Sequence, residues 1–265
     1  MRGRTVGTVR RVRFIGAAVA GLLVLSACGG GSGDDENEAA PEQPEQPPAA
    51  QTVADLPPDS SLVAQALPDV SEVPVYQNEG DPEPFETLSN PNNNGVPLVF
   101  LVDGLDTTRD RLPVHLPIPP NGTKGWIDAD DVSLAHHSFR IKVEKAAHRL
   151  TLTGAGEPVL QAEIAVGRAG RDTPEGTYYT KELLEPLEPN GVYGTFAYGL
   201  SGFTNNPVVA EEFGDGGVIG IHGTNQPELL GTDVSSGCIR MSNEDIDKLV
   251  NSFQLPLGVP VEVKA

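Results

Sequence analysis

From Phe139 onward, apolar and polar residues alternate in short runs, and each run stops at a turn signal. That pattern constrains the fold more than any other feature, because period-two alternation lays one face of a strand on a core and the other toward solvent. Phe139–Glu144 and Arg149–Thr153 alternate in this way, Gly154–Glu157 reads as a turn, and Val159–Gly167 resumes the alternation. Arg168–Gly176 is a loop ending in Thr173-Pro174-Glu175-Gly176, where proline fixes φ and glycine permits a positive φ. Further strands are expected at Gly176–Thr180, Thr195–Tyr198, Val218–His222 and Val259–Val263. One helix is expected late. Ser242 with Asp245 three residues on makes a capping-box arrangement, and Ile246, Leu249, Val250 and Phe253 share one helical face. The expected class is mainly β, with that one late helix.

A smaller all-β unit is expected before it, over residues 61–135. Short apolar segments, Val73–Tyr76, Leu98–Val102 and Leu112–Leu116, are broken by turns such as Asn92-Asn93-Asn94-Gly95 and Pro119-Pro120-Asn121-Gly122. The passage Arg111–Val132, with its PNGxxGW turn and strand, resembles bacterial SH3-like segments. Trp126, the only tryptophan, reads as a packing aromatic ahead of a ligand platform. Residues 28–60 are rich in Pro, Glu and Gly and too poor in large apolar side chains to offset their ordering entropy, so they read as an extended tether.

The first 27 residues read as a processed leader. Arg2, Arg4, Arg10, Arg11 and Arg13 precede an apolar run, Phe14–Leu25, that is shorter than the roughly 20 residues needed to span a bilayer. The run ends in Leu25-Ser26-Ala27-Cys28, which resembles the bacterial lipobox, so Cys28 is the expected lipidation site. The expected location is then the outer face of the cell membrane, facing the wall. The formal net charge of −19 includes those five leader arginines, so the remainder is more acidic still. Nucleic acid is excluded as a partner on that balance, since phosphate binding needs clustered cations.

Chemistry concentrates in Val218–Met241, VIGIHGTNQPELLGTDVSSGCIRM. His222 and Cys238 lie sixteen positions apart, each beside a glycine and at an end of an apolar run. The chain has two cysteines. If Cys28 carries lipid, Cys238 is a lone thiol in an oxidising compartment, read as a nucleophile in an accessible Ser235-Ser236-Gly237 turn. A thiol needs a base to ionise near neutral pH, and His222 is the candidate, carried to a sheet edge by VIGI and exposed by Gly223. Arg240 suits either a substrate carboxylate or a salt bridge that shapes the turn. His115 reads as structural, His136 and His137 as a solvated junction doublet, and His148 as a hairpin-turn residue. No His, Cys and Asp set has metal-ligand spacing, so neither metal nor cofactor is expected.

Phe139–Lys264 resembles the catalytic domain of the bacterial L,D-transpeptidases, the YkuD family. The residues that carry the resemblance are Ile141–Leu152, the strand ending in Val166-Gly167, the Thr173-Pro174-x-Gly176 turn, Ile221-His222-Gly223-Thr224 and Ser235-x-Gly237-Cys238-Ile239-Arg240-Met241. The family often has histidine where this chain has Ser236. The resemblance implies a domain over residues 139–265 that acts on peptidoglycan stem peptides. Cys238 would be the nucleophile and His222 the base, oriented by the Gly223 carbonyl. An oxyanion would sit near the Gly237–Cys238 turn, and Thr224, Ser235, Ser236 and Arg240 would contact substrate. It also implies 3→3 cross-linking through a thioester, and acylation of Cys238 by carbapenems. Hydrolysis of the same thioester, as an L,D-carboxypeptidase, uses the same residues, and a non-catalytic wall-binding lipoprotein is the reading from another class.

Overall fold

The computed structural model describes residues 9–10, 56–57, 59–213 and 216–265. Apart from Val9–Arg10, the expected signal peptide lies outside the described residues, as do Cys28 and nearly all of the expected tether. The strands are β1 (Val9–Arg10), β2 (Ser61–Ala66), β3 (Glu72–Val75), β4 (Glu86–Ser89), β5 (Val99–Leu101), β6 (Arg111–His115), β7 (Lys124–Asp128) and β8 (Val132–His137). After them come β9 (Phe139–Glu144), β10 (Arg149–Gly154), β11 (Glu157–Gly167), β12 (Gly176–Pro186) and β13 (Ala197–Phe203). Helix α1 (Pro207–Phe213), β14 (Val218–His222), β15 (Asp233–Ser235), β16 (Ile239–Met241), α2 (Asn243–Asp247) and β17 (Pro260–Lys264) complete the chain.

The larger sheet runs β12-β13-β14-β16-β11-β10-β9-β17, and β17 pairs back onto β12. Closure leaves neither end of that run as a bare edge, the arrangement that otherwise invites pairing with another chain. β15 lies alongside β11, and the two-residue β1 pairs with Glu185 and Pro186 of β12. The alternation read from the sequence is the physical basis of this ring. Ile141 and Val143, Leu150 and Leu152, and Val261 and Val263 all turn into one buried cluster with Ile164, Tyr198, Ile219, Ile221 and Ile239.

Ser242 caps α2 as expected, its hydroxyl accepting from Asp245 N–H at 3.0 Å. The helix then widens into a π-helical turn over Lys248–Ser252. Ile246 and Leu249 are wholly buried, while Val250 and Phe253 pack at the margin of the same cluster. Some expectations are corrected. The strand expected at Thr195–Tyr198 is Ala197–Phe203, and that expected at Gly176–Thr180 continues to Pro186 through an irregularity between Thr180 and Glu182. A second helix, α1, was not expected, although Asn206-Pro207 carries its signal: Asn206 Oδ1 accepts from Val208 N–H at 2.9 Å. His136 and His137 sit on β8, paired with Leu62 and Ser61, and not on a loop; His136 is exposed as expected, while His137 is half-buried. Burial lowers the His137 pKa.

Residues 61–137 fold as three small sheets, β5-β2-β8, β3-β4 and β6-β7, around a second cluster that includes Leu62, Ala64, Phe100, Leu112, Val114 and Ile127. Trp126 stays half-buried on β7 with the Arg109 guanidinium 5.6 Å from its ring centre.

The other face of β2 and β5 is also covered. Val63, Val99 and Leu101 are buried although they point away from that cluster, and Tyr179 on β12 is wholly buried outside the larger one. A Cβ on Gly258 would meet the Val63 side chain at 2.5 Å, so the two units touch there closely enough to require glycine. Polar contacts complete the seam. Asn92 and Asn94 each donate to the buried Glu182 carboxylate, at 3.0 and 2.8 Å, and Lys181 lies 3.1 Å from it. Asn121 bonds both backbone groups of Phe203, each at 2.8 Å.

A buried carboxylate stripped of its donors is costly, because desolvation is no longer offset. The paired substitution Asn92→Ala, Asn94→Ala should therefore cost about 2 kcal/mol in chemical denaturation. Adding Glu182→Gln should return part of that loss, since a neutral amide is less costly to leave short of donors.

Candidate active site

The site is built by one pairing. β14 and β16 are parallel neighbours, with Ile221 opposite Ile239 and His222 opposite Arg240. Parallel neighbours need a crossover; here it leaves from His222-Gly223 and returns through Gly237-Cys238. Side chains two apart on a strand share a face, so Cys238, one residue before β16, falls on the same face as Arg240 and His222. At strand spacings of about 4.8 Å across and about 3.3 Å per residue along, the Cys238 and His222 backbones lie about 8 Å apart, within reach of a thiol and an imidazole.

His222 is not exposed at a sheet edge, as the sequence suggested. It is 4 % exposed, beneath the ring of Tyr193, whose centroid is 5.0 Å away in an edge-on arrangement. Its Nδ1 lies 2.6 Å from the Gly223 carbonyl. A carbonyl only accepts, so Nδ1 carries the proton and Nε2 keeps its lone pair. Burial pushes the His222 pKa down to about 4; the Gly223 bond opposes that shift, and the nearby Arg240 charge adds to it. The imidazole is therefore neutral through the neutral range, a proton acceptor at Nε2.

The turn around Cys238 is closed from within. Ser235 is buried, donates its hydroxyl to the Cys238 carbonyl at 2.6 Å and accepts from Gly237 N–H at 3.1 Å. Gly237 has φ 121°, a conformation only glycine takes without strain. Ser235 is thus engaged inside the turn on both sides of its hydroxyl, and the Gly237 N–H is engaged by Ser235. Thr224 is likewise buried and internal, its hydroxyl accepting from Gln226 N–H at 3.1 Å while its own N–H donates to Asn243 Oδ1 at 3.1 Å. Cys238 is half-buried and Ser236 half-buried beside it. Arg240 Nε is buried with no hydrogen bond among the described residues, which include no carboxylate that pairs with it.

Four residues at the site went unread in the sequence. Asn243 fills the space beside Gly194 and Gly223, where any Cβ would collide with its side-chain oxygen. Tyr193 sits between Gly191 and Gly194, a glycine-flanked aromatic that could have been noticed. Arg168 and Arg171 lie in the loop after β11 and reach the Ser235-Ser236 segment. Among the described residues no cluster of His, Cys, Asp or Glu could hold a metal ion.

Neutral His222 has a thermodynamic signature. Its folded pKa lies below the ordinary 6.5, so the unfolded chain binds more protons between those values and stability rises with pH there. This contribution is complete above about 6.5 and lost as pH falls through about 4. Thermal melts from pH 7 to 4 should show a steeper decline for the wild type than for His222→Asn. Nitrogen NMR at pH 7 should show a protonated Nδ1 and an unprotonated Nε2.

The L,D-transpeptidase catalytic domain profile of the YkuD family matches residues 138–263. Two Bacillus subtilis (strain 168) proteins are similar over this region. YkuD is 33% identical over 125 residues, covering 47% of this chain and 65% of its own length. YqjB is 35% identical over 109 residues, covering 37% and 55%. The matches thus span less than two thirds of these relatives. A solved L,D-transpeptidase from Mycobacterium tuberculosis H37Rv aligns at 14% identity and a TM-score of 0.40, over 63% of this chain and 90% of that one. Residues 138–263 carry the L,D-transpeptidase catalytic domain of the YkuD family.

Proposed function

We propose that this protein is a peptidoglycan L,D-transpeptidase that forms 3→3 cross-links through a Cys238 thioester. The observation that carries the reading is the shared face of β14 and β16, which sets Cys238 beside an imidazole whose Nδ1–H is fixed on Gly223 and whose Nε2 is left to accept. The donor is a stem peptide with a diamino acid at its third position, followed by D-alanine. As Nε2 takes the thiol proton, Sγ bonds to the third residue's carbonyl carbon. The carbon–nitrogen bond then breaks, and D-alanine leaves with that proton on its amine. The side-chain amine of a second stem attacks the thioester, gives a proton to Nε2, and the carbon–sulfur bond breaks to restore the thiol. No metal or cofactor is required by this sequence of steps.

Tyr193 covers His222 on one side, and whether amine or water resolves the thioester is decided by competition between the two acceptors. The lipobox-like Leu25–Cys28 supports a lipid on Cys28 and a location at the outer face of the membrane. The residues 61–135 unit, fixed against β12, would then ride with the catalytic domain as one body on the tether.

Incubation with a purified disaccharide-tetrapeptide and mass analysis tests the reading. A cross-linked dimer lacking one D-alanine is expected. Tripeptide alone would mean hydrolysis, and an unchanged substrate would overturn the enzymatic reading. Cys238→Ala should abolish both products while keeping the wild-type melting curve. A carbapenem should add its mass to the wild type and not to that variant.

A further inference from the structure

The loop after β11 is held hard against the catalytic turn. Gly167 N–H donates to Thr173 Oγ1 at 2.9 Å, Arg171 N–H to the Arg168 carbonyl at 2.8 Å, and Arg168 N–H to the Ser235 carbonyl at 3.1 Å. A Cβ on Gly167 would run into the backbone of Arg171 to Thr173, so the loop folds back over its own root. Two guanidinium groups are thereby brought to one hydroxyl. Arg171 Nη1 lies 3.2 Å from Ser236 Oγ and Arg168 Nη1 lies 3.4 Å from it, while Arg168 Nη1 also reaches the Val234 and Ser235 carbonyls.

The hydrogen-bond inventory of this cluster is one-sided. A guanidinium only donates, and a serine oxygen has two lone pairs, so the two arginines fill the accepting capacity of Ser236 and leave its O–H to donate. Arg171 has one carboxylate neighbour, Glu212 on α1, at 2.8 Å, and that carboxylate is 45% exposed. Arg168 is exposed and makes no ion pair among the described residues. The cluster is thus a set of donors two residues from Cys238, in a chain of net charge −19. Two Cα steps span at most about 7.6 Å. The turn is closed by Ser235 on Cys238, so the true separation is shorter than that limit.

We propose that Arg168, Arg171 and Ser236 form a carboxylate-binding subsite that receives the free α-carboxylate of the residue leaving the donor stem. The inference rests on the proposed acyl transfer for its substrate. In that substrate the carboxylate carbon lies about 4 Å from the carbonyl carbon under attack, with only the amide nitrogen and one Cα between them. A planar guanidinium pair with a hydroxyl donor matches a carboxylate's two oxygens. Seated there, the leaving residue is oriented with its amide nitrogen over the turn, and a donor lacking a free carboxylate at that position is discriminated against. The cations would do for specificity what they cannot do for His222, whose neutrality they leave intact.

The subsite is tested first without any peptide. Iodoacetate and iodoacetamide alkylate the same Cys238 thiolate by the same displacement, iodide leaving with its electron pair, so their rate ratio cancels the thiolate fraction and reports attraction for the carboxylate. Mass-resolved rates in the purified protein should give a ratio about fivefold lower in Arg171→Met than in the wild type. Glu212→Gln, which removes the competing anion at an exposed helix position, should raise the ratio. If Arg171→Met proves poorly folded, Glu212→Gln still decides. A ratio that stays fixed in Glu212→Gln and in folded Arg171→Met overturns the subsite, whatever the protein does to peptidoglycan. The second arm compares tetrapeptide donors ending in a free acid or an amide. Wild type should favour the acid, and Arg171→Met should lose that preference while keeping turnover of the amide. An alkylation ratio that moves without this change in preference would show an anion site that serves some other group, and would overturn the assignment to the leaving residue. Failure of every donor would count against the acyl-transfer reading and leave the alkylation result standing.

Discussion

The site depends on the parallel pairing of β14 with β16. Antiparallel neighbours joined by a hairpin would put the residues flanking the turn at one end of both strands. Here the last two residues of β14 pair in parallel with the first two of β16, so the chain must leave the sheet and re-enter it running the same way, which a two-residue hairpin cannot do. That is why sixteen residues separate His222 from Cys238 in sequence while the sheet sets them side by side. The crossover is anchored at both ends by glycine. Gly223 admits Asn243, and Gly237 takes the positive φ that the turn into β16 demands. The closed ring of strands matters for the same reason, since a register slip of one residue at β14–β16 would send His222 or Cys238 to the opposite face.

The second constraint is the seam between the two units. Glu182 is 3% exposed and receives donors from Asn92 and Asn94, which belong to the first unit. It lies on β12, next to β13, and β13 pairs with β14. The first unit therefore supports the strand that supports His222's strand. Asn121 acts on the same path, since it bonds both backbone groups of Phe203, the β13 residue paired with Val218 of β14. Buried polar contacts of this kind specify a unique docking more strongly than they stabilise it, because any other docking leaves the carboxylate short of donors.

Much of this was legible in the sequence, and the parts that were not have common causes. The strands of the ring were readable because period-two alternation is local, and Ser242 was readable because a cap acts within one turn. His222 and Cys238 stood out through their glycine neighbours and lone-thiol chemistry. What stayed hidden was non-local. Ser235 and Thr224 are the exception: their partners Gly237 and Gln226 lie two residues on, in local side-chain-to-backbone bonds that serines and threonines at turns commonly make. Arg168 and Arg171 gave no signal because loop cations are ordinarily solvated, and only the close packing at Gly167 turns theirs toward Ser236. His222 was misjudged as exposed because the cover comes from Tyr193, twenty-nine positions away across two strands.

Burial of His222 also decides what kind of base it can be. Burial keeps the His222 imidazole neutral, so it is the free base that is available to a thiol proton. Arg240 reinforces this, because a cation beside the ring opposes a second positive charge. In the proposed reaction the proton moves as the carbon–sulfur bond forms, when negative charge passes from sulfur to the developing oxyanion and its donors. Arginines near the turn fit that sequence: they favour negative charge on sulfur, oxygen or carboxylate without needing a proton of their own to move. The neutral base then returns its proton to the leaving amine readily, since a weakly basic imidazolium is a strong acid. A buried, neutral histidine is thus suited to passing one proton from thiol to amine within a single encounter.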